Sequence, residues 1–231
     1  MKRGINKKVK VRYDRILSCL LVLLIIAFII YKYIDRDLNN IYIRGNKYLT
    51  DQEIIEIAKL ENYPKMIRID TLKIKKDLLK NKFINDVSIN KKSHEITIEI
   101  KESKPIYYDS STKKTVLANA KEVDNTYIVP TLINYVPDTI ASDLKKELAK
   151  VDDEILVKMS EIKYDPNIDS ERFLITMTDG NYVYININRF NLINNYLTII
   201  SNFKNKKGII YLDSGSHFEI FKDKKGSNYE E

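Results

Sequence analysis

The feature that most constrains this chain is the apolar stretch Ile16 to Ile34, ILSCLLVLLIIAFIIYKYI, whose unbroken core runs from Leu20 to Ile30. At about 1.5 Å per residue a helix over this stretch is roughly 28 Å long, close to the hydrocarbon thickness of a bilayer. Its one charge, Lys32, can snorkel to the interface on its long stem, and Tyr31 and Tyr33 suit the headgroup level. Lys2, Arg3, Lys7, Lys8, Lys10, Arg12 and Arg15 precede the stretch, whereas the other flank carries mainly Lys32, at the end of the stretch, with Arg36 and Arg44 beyond it. The positive-inside rule then puts the N-terminus in the cytoplasm. A cleaved signal peptide would have a shorter apolar region ending in a small-x-small site, which Tyr31-Lys32-Tyr33 does not offer. The stretch is expected to be a retained single-pass anchor.

The net charge of +7 belongs to the region before and within that anchor. The first fifteen residues carry seven Lys and Arg against Asp14, Lys32 adds one more, and from residue 35 onward 31 basic side chains balance 31 acidic ones. The larger part of the chain therefore has no basic stripe, and no nucleic-acid partner is expected. The basic tail is expected to meet the lipid bilayer, each Lys or Arg near an anionic surface contributing about 1 kcal/mol. The single cysteine, Cys19, lies inside the anchor, so no disulfide framework or external thiol nucleophile exists. Two histidines, His94 and His217, leave little for metal ligation or general-base chemistry. No catalytic, metal or cofactor site is expected.

Residues 36–104 read as a compact α+β unit. Ile41 and Ile43 alternate with Tyr42 and Arg44 as in a strand with one buried face, and Gly45-Asn46 ends it. Thr50-x-x-Glu53 is a capping box, with Leu49 and Ile54 as its hydrophobic staple, and the helix is expected to stop at Asn62-Tyr63-Pro64. Asp70 caps a second helix through Lys80. A short strand over 86–90 and a stronger one carrying Ile96, Ile98 and Ile100 complete the order β-α-α-β-β.

From Pro105 to Phe221 the pattern is that of a second, mixed α+β domain. Strands are expected over 105–108, 114–118 and 127–133, and helices over 138–150 and 152–162. Strands over 172–178 and 182–187 flank the hairpin signal Asp179-Gly180. Asn188 is expected to cap a helix reaching Lys204, and two antiparallel strands follow around a turn at 213–216. Residues 222–231 are polar and aperiodic and are expected to be a disordered tail.

The basic tail and apolar helix, then IYIRGNKYLTDQEIIEIA, then NDVSINKKSHEITIEIKESKPI, resemble the FtsQ/DivIB cell division proteins of bacteria. MSEIKY at 159–164, Asp179-Gly180 and the terminal GIIYLDSG extend the resemblance along the chain. It implies a POTRA domain over 36–104 and a β-type FtsQ/DivIB domain over 105–221. It also implies a non-enzymatic scaffold at the division septum that binds FtsB/DivIC-like and FtsL-like bitopic proteins.

A final strand at a sheet edge would hold such a partner by β-augmentation. The expected partner-facing segment is Ile210, Tyr211, Leu212, Ser214, Gly215, Phe218 and Ile220. One face of a strand ordinarily turns inward, so about half of these side chains are expected to be core even if the edge is the site. Rival readings are weaker. A sortase-like enzyme needs an external Cys. Asp213, Ser214 and His217 are neighbours in sequence, which is not how triads are assembled. An outer-membrane POTRA chaperone would need C-terminal transmembrane strands of about ten residues. A membrane-anchored receptor or cell-wall-binding module unrelated to division shares the architecture and is the alternative.

Overall fold

A computed structural model describes residues 13–34, 36–204 and 206–221. The expectations for the extreme N-terminal residues 1–12 and for the tail at 222–231 lie outside the described residues. Contacts divide the chain into two units, one of residues up to Lys80 together with Asp86–Ile100, the other of Asn81–Asn85 together with Lys101 onward.

The first unit begins with helix α1 (Tyr13–Ile34), 22 residues and so about 33 Å long. Its stretch Arg15–Ile34 is long and apolar enough to cross a membrane, and none of it is buried within the protein. There follow β1 (Asn40–Arg44), α2 (Asp51–Ala58), a 3₁₀ turn (Met66–Arg68), α3 (Thr71–Leu78), β2 (Ile84–Lys92) and β3 (Glu95–Glu102). This is the β-α-α-β-β order. The sheet runs β1-β3-β2, with β1 parallel to β3 from Asn40 opposite Glu95 to Arg44 opposite Glu99.

Local chemistry fixes the helix starts. The Thr50 hydroxyl accepts from the Glu53 amide at 3.2 Å while the Glu53 carboxylate accepts from the Thr50 amide at 2.7 Å, closing the capping box. That bond holds the Glu53 carboxyl below its usual range, because it stabilises the charged form. Asp70 accepts from the amides of Leu72 and Lys73 at the start of α3. Helix α2 stops before Asn62-Tyr63-Pro64, at Lys59, which adopts the left-handed conformation (φ 57°) and donates back to Glu56 and Ile55. Gly45 sits at φ +84°, and a Cβ there would collide with the Ile100 carbonyl, so this turn admits only glycine. Ile54, Leu78, Val87, Ile96 and Ile98 form the buried centre.

The second unit holds one nine-stranded sheet. Its strands are β4 (Pro105–Asp109), β5 (Lys114–Leu117), β6 (Glu122–Val123), β7 (Thr131–Leu132), β8 (Met159–Tyr164), β9 (Arg172–Met177), β10 (Tyr182–Asn186), β11 (Gly208–Tyr211) and β12 (His217–Ile220). Their spatial order is β12-β11-β10-β9-β8-β7-β4-β5-β6. The last two strands are antiparallel as expected, while β10–β11, β4–β7 and β7–β8 are parallel. Helices α4 (Asp138–Lys150), α5 (Asp153–Leu156) and α6 (Tyr196–Asn202) and a 3₁₀ segment (Ile187–Asn195) share one apolar cluster with the sheet, in which Leu144, Leu148, Phe173, Val183, Phe190 and Ile193 are fully buried.

Three expectations for this unit are corrected. The helix expected over 152–162 ends at Leu156, and Met159–Tyr164 is strand β8. The register shifts between Met159 and Glu161, so Met159 and Ile162 both face inward although three residues apart, and this bulge mimics helical spacing. The strand expected over 127–133 shrinks to the two residues of β7. The single helix expected from Asn188 is mostly 3₁₀, with no side-chain cap at its start. Phe190 and Ile193, one 3₁₀ turn apart, are both buried, and Tyr196, also buried, is the first residue of α6.

Candidate functional site

Strand β12 is one margin of the nine-stranded sheet, and among the described residues no strand lies beyond it. Among the described residues its strand neighbour is β11, in the register Gly208–Ile220, Ile209–Glu219, Ile210–Phe218 and Tyr211–His217. Hydrogen-bonded and non-bonded pairs alternate along an antiparallel ladder, so one bond fixes the rest. The Phe221 amide donates to Lys207 at 3.0 Å, one step beyond the Gly208–Ile220 pair. The bonded pairs are therefore Ile209–Glu219 and Tyr211–His217. The bond from the Leu212 amide to Tyr184 at 2.8 Å fixes the same parity from the β10 side. It follows that the backbone N–H and C=O groups of Phe218 and Ile220 point away from β11, toward the open margin.

The side chains sort by the same alternation. Ile210 and Leu212 are 1% and 2% exposed and belong to the core, so these two expected partner-facing side chains are corrected to structural ones. The reason is the layer of helical segments covering that face of β11. Phe218 lies on this side too, its ring 4.7 Å from that of Phe203. A cavity of about 140 Å³ opens there between Ile199, Phe203, Ile210, Leu212 and Phe218. Ile220 and Phe221 are exposed at the margin. Ser214 is exposed and Gly215 half-exposed in the turn, and a Cβ on Gly215 would meet nothing within 4 Å.

On the opposite face a ladder of planar groups crosses the sheet. The Arg172 guanidinium lies 3.7 Å from the Tyr184 ring, Tyr184 stacks on Tyr211 at 5.5 Å, and Tyr211 stacks on His217 at 4.4 Å with the planes 10° apart. The Tyr211 hydroxyl donates to Glu219. Burial and that carboxylate both push the Tyr211 phenol upward. Arg172 is buried and donates from Nε to Asp213 at 2.7 Å and from Nη1 to Asp165 at 3.2 Å. Asp213 also accepts from the Ser214 amide at 2.8 Å, so this aspartate organises the β11–β12 turn.

A second network seats the start of β11. The Gly208 amide donates to Asn181 Oδ1 at 2.8 Å, the Asn181 amide group donates to the Tyr196 hydroxyl at 2.9 Å, and that hydroxyl donates to Asp179 at 2.6 Å. Burial and the Asp179 bond hold the Tyr196 phenol well above the usual tyrosine range. Gly208 has no room for a side chain, since a Cβ would collide with the Glu219 carbonyl and the Phe218 ring.

Sequence reading missed Arg172, Tyr184, Asn181, Tyr196, His217 and Glu219. Tyr182 and Tyr184 on one strand, and Tyr211 and His217 on others, share outward parity, which was the available signal.

The family described as "POTRA domain, FtsQ-type" matches residues 36–103. The cell division protein DivIB of Bacillus subtilis (strain 168) is 28% identical over 233 residues, covering 94% of this chain and 88% of its own length. DivIB of Listeria monocytogenes is 26% identical over 231 residues, covering 94% and 84%. A solved structure of the major extracytoplasmic domain of DivIB from Geobacillus stearothermophilus aligns with 45% of this chain and 96% of its own, at 22% identity and a TM-score of 0.37.

Proposed function

We propose that this chain, a homologue of the DivIB cell division proteins carrying an FtsQ-type POTRA domain, is a bitopic, non-enzymatic scaffold that recruits its partners by strand addition to β12. In this reading residues 1–15 are a cytoplasmic basic tail and 16–34 cross the plasma membrane. The POTRA domain at 36–104 and the β-type domain at 105–221 stand outside the cell. The partners are FtsB/DivIC-like and FtsL-like bitopic proteins at the division septum. Homology carries the role in division, and the partners and the mode of binding are the further step.

The observation that carries this step is the pair of outward-facing backbone positions at Phe218 and Ile220 on a margin strand. An extended segment laid along them gains main-chain bonds, and its alternate side chains meet two different faces. One is the apolar side of Phe218 and the cavity beside it, the other the polar side of His217 and Glu219. Ile220→Pro tests it, because proline removes an outward N–H without touching the β11–β12 ladder. Co-purification with the FtsB/DivIC-like partner is expected to weaken by roughly tenfold, the cost of one lost bond and an unsatisfied partner carbonyl. Undiminished capture by a folded Ile220→Pro chain overturns the proposal.

A further inference from the structure

The chain leaving the membrane helix does not swing free of the first unit. The Met66 amide donates to the Arg36 carbonyl at 2.8 Å and the Leu38 amide donates to the Pro64 carbonyl at 3.3 Å, so that the backbone of Asp37 pairs antiparallel with that of Lys65. Arg36 is two residues past Ile34, a reach of at most about 7 Å. The loop Tyr63–Arg68 is thereby held near the end of α1, by these backbone bonds to Arg36 and Leu38 and by the short covalent step from Ile34 to Arg36.

That loop has the composition of an interfacial surface. Tyr63 is 50% and Ile67 53% exposed, whereas the neighbouring Met66 is buried. Beside them a cavity of about 260 Å³ is lined by Tyr33, Arg36, Met66, Ile67, Lys91 and Ser93. The Arg36 guanidinium lies 4.7 Å from the Tyr33 ring, an arrangement that holds the charge at the end of α1. Lys91 donates one proton to the Ile69 carbonyl at 3.1 Å, which leaves two of its three donors to spare. Exposed Lys92 and Arg68 lie next to Lys91 and Ile67 in sequence, Asp35 and Asp37 stand on either side of Arg36, and Asp70 follows Ile69. Asp70 is engaged as the α3 cap.

We propose that this juxtamembrane cavity is a binding site for the phosphodiester headgroup of an anionic phospholipid, with Arg36 and Lys91 on the phosphate and Tyr63 and Ile67 dipping into the interface. The site goes beyond the partner-binding reading and is independent of β12. It rests only on α1 being a retained membrane anchor. Docking fixes the tilt of the first unit against the bilayer. Each basic side chain near an anionic surface shifts the docked population by roughly fivefold, so the pair is worth far more than fluctuation in tilt.

The test uses the full chain in lipid nanodiscs, with a coumarin on Asn62→Cys in a Cys19→Ser background and a headgroup-nitroxide lipid as quencher. Discs of phosphatidylcholine alone are compared with discs to which phosphatidylglycerol has been added. Quenching is expected to rise at least roughly threefold in the anionic discs. Arg36→Gln with Lys91→Gln should return it to the neutral-disc value while circular dichroism stays unchanged. Equal quenching in both compositions, or a rise that survives the double substitution, overturns the site. A chain that will not remain in either disc overturns the anchor on which it depends, a failure distinct from the first two.

Discussion

Replacing Arg172 by methionine tests what holds the β11–β12 corner in place. Methionine keeps much of the length and apolar stem, so the change isolates the charge. Arg172 is 5% exposed and bonds two carboxylates that are themselves largely buried, Asp213 at 2.7 Å and Asp165 at 3.2 Å. Removing one member of a buried ion pair costs about 3–5 kcal/mol, mostly through the charge left behind. Here each carboxylate keeps a further donor, Asn167 on Asp165 and the Ser214 amide on Asp213, which places the loss toward the lower end. Loss of the guanidinium over Tyr184 adds about 1 kcal/mol, for a total near 4 kcal/mol. In urea, with a slope of about 2 kcal/mol/M, the midpoint of the second unit should fall by roughly 2 M. Arg172→Met combined with Asp165→Asn and Asp213→Asn removes the orphaned charges and should regain more than half of the loss. A single substitution costing under about 1 kcal/mol, or a triple variant no better than the single, would refute the assignment of the corner to this buried triad.

Gly45→Ala should destabilise the first unit by at least ~2 kcal/mol in the same titration, because it combines a left-handed backbone with a collision against the Ile100 carbonyl. Tyr196→Phe should cost about 1–3 kcal/mol by stranding the buried Asn181 amide group, and should loosen the seat of Gly208. The Tyr196 phenol has its folded pKa raised, first by burial and then by the bond to Asp179. Its contribution to stability is therefore whole below the unfolded tyrosine value of about 10 and is lost as pH rises from there toward the folded value. Denaturation followed from pH 8 upward should show this alkaline loss in the native chain and a shallower one in Tyr196→Phe.

What was legible in the sequence was what short-range chemistry decides. Thr50 and Glu53, Asp70 and its two amides, the alternating Ile96, Ile98 and Ile100, and the helix over 138–150 each depend on residues within a few positions, and each appears as read. The errors come where the sheet overrides spacing. Met159 and Ile162 both face inward because β8 bulges against β9, and Phe190 and Ile193 belong to a 3₁₀ segment that turns α-helical only at Tyr196. At the C-terminal margin the two strands and their turn were legible, but their neighbours were not. Arg172 meets Asp213 across 41 positions, and Asn181 meets Gly208 across 27, so no local pattern announces them. Whether Ile210 or Phe218 faces outward depends on which side the helical layer covers, and only the assembled sheet decides that.

The most direct test of the proposed strand addition at β12 is residue-resolved amide exchange, with and without the proposed FtsB/DivIC-like partner. In the free chain the Phe218 and Ile220 amides should exchange fast, while those of His217, Glu219 and Phe221 are held by β11. On binding, protection should appear at Phe218 and Ile220 together. Partner-induced protection that bypasses both and arises elsewhere would contradict the account.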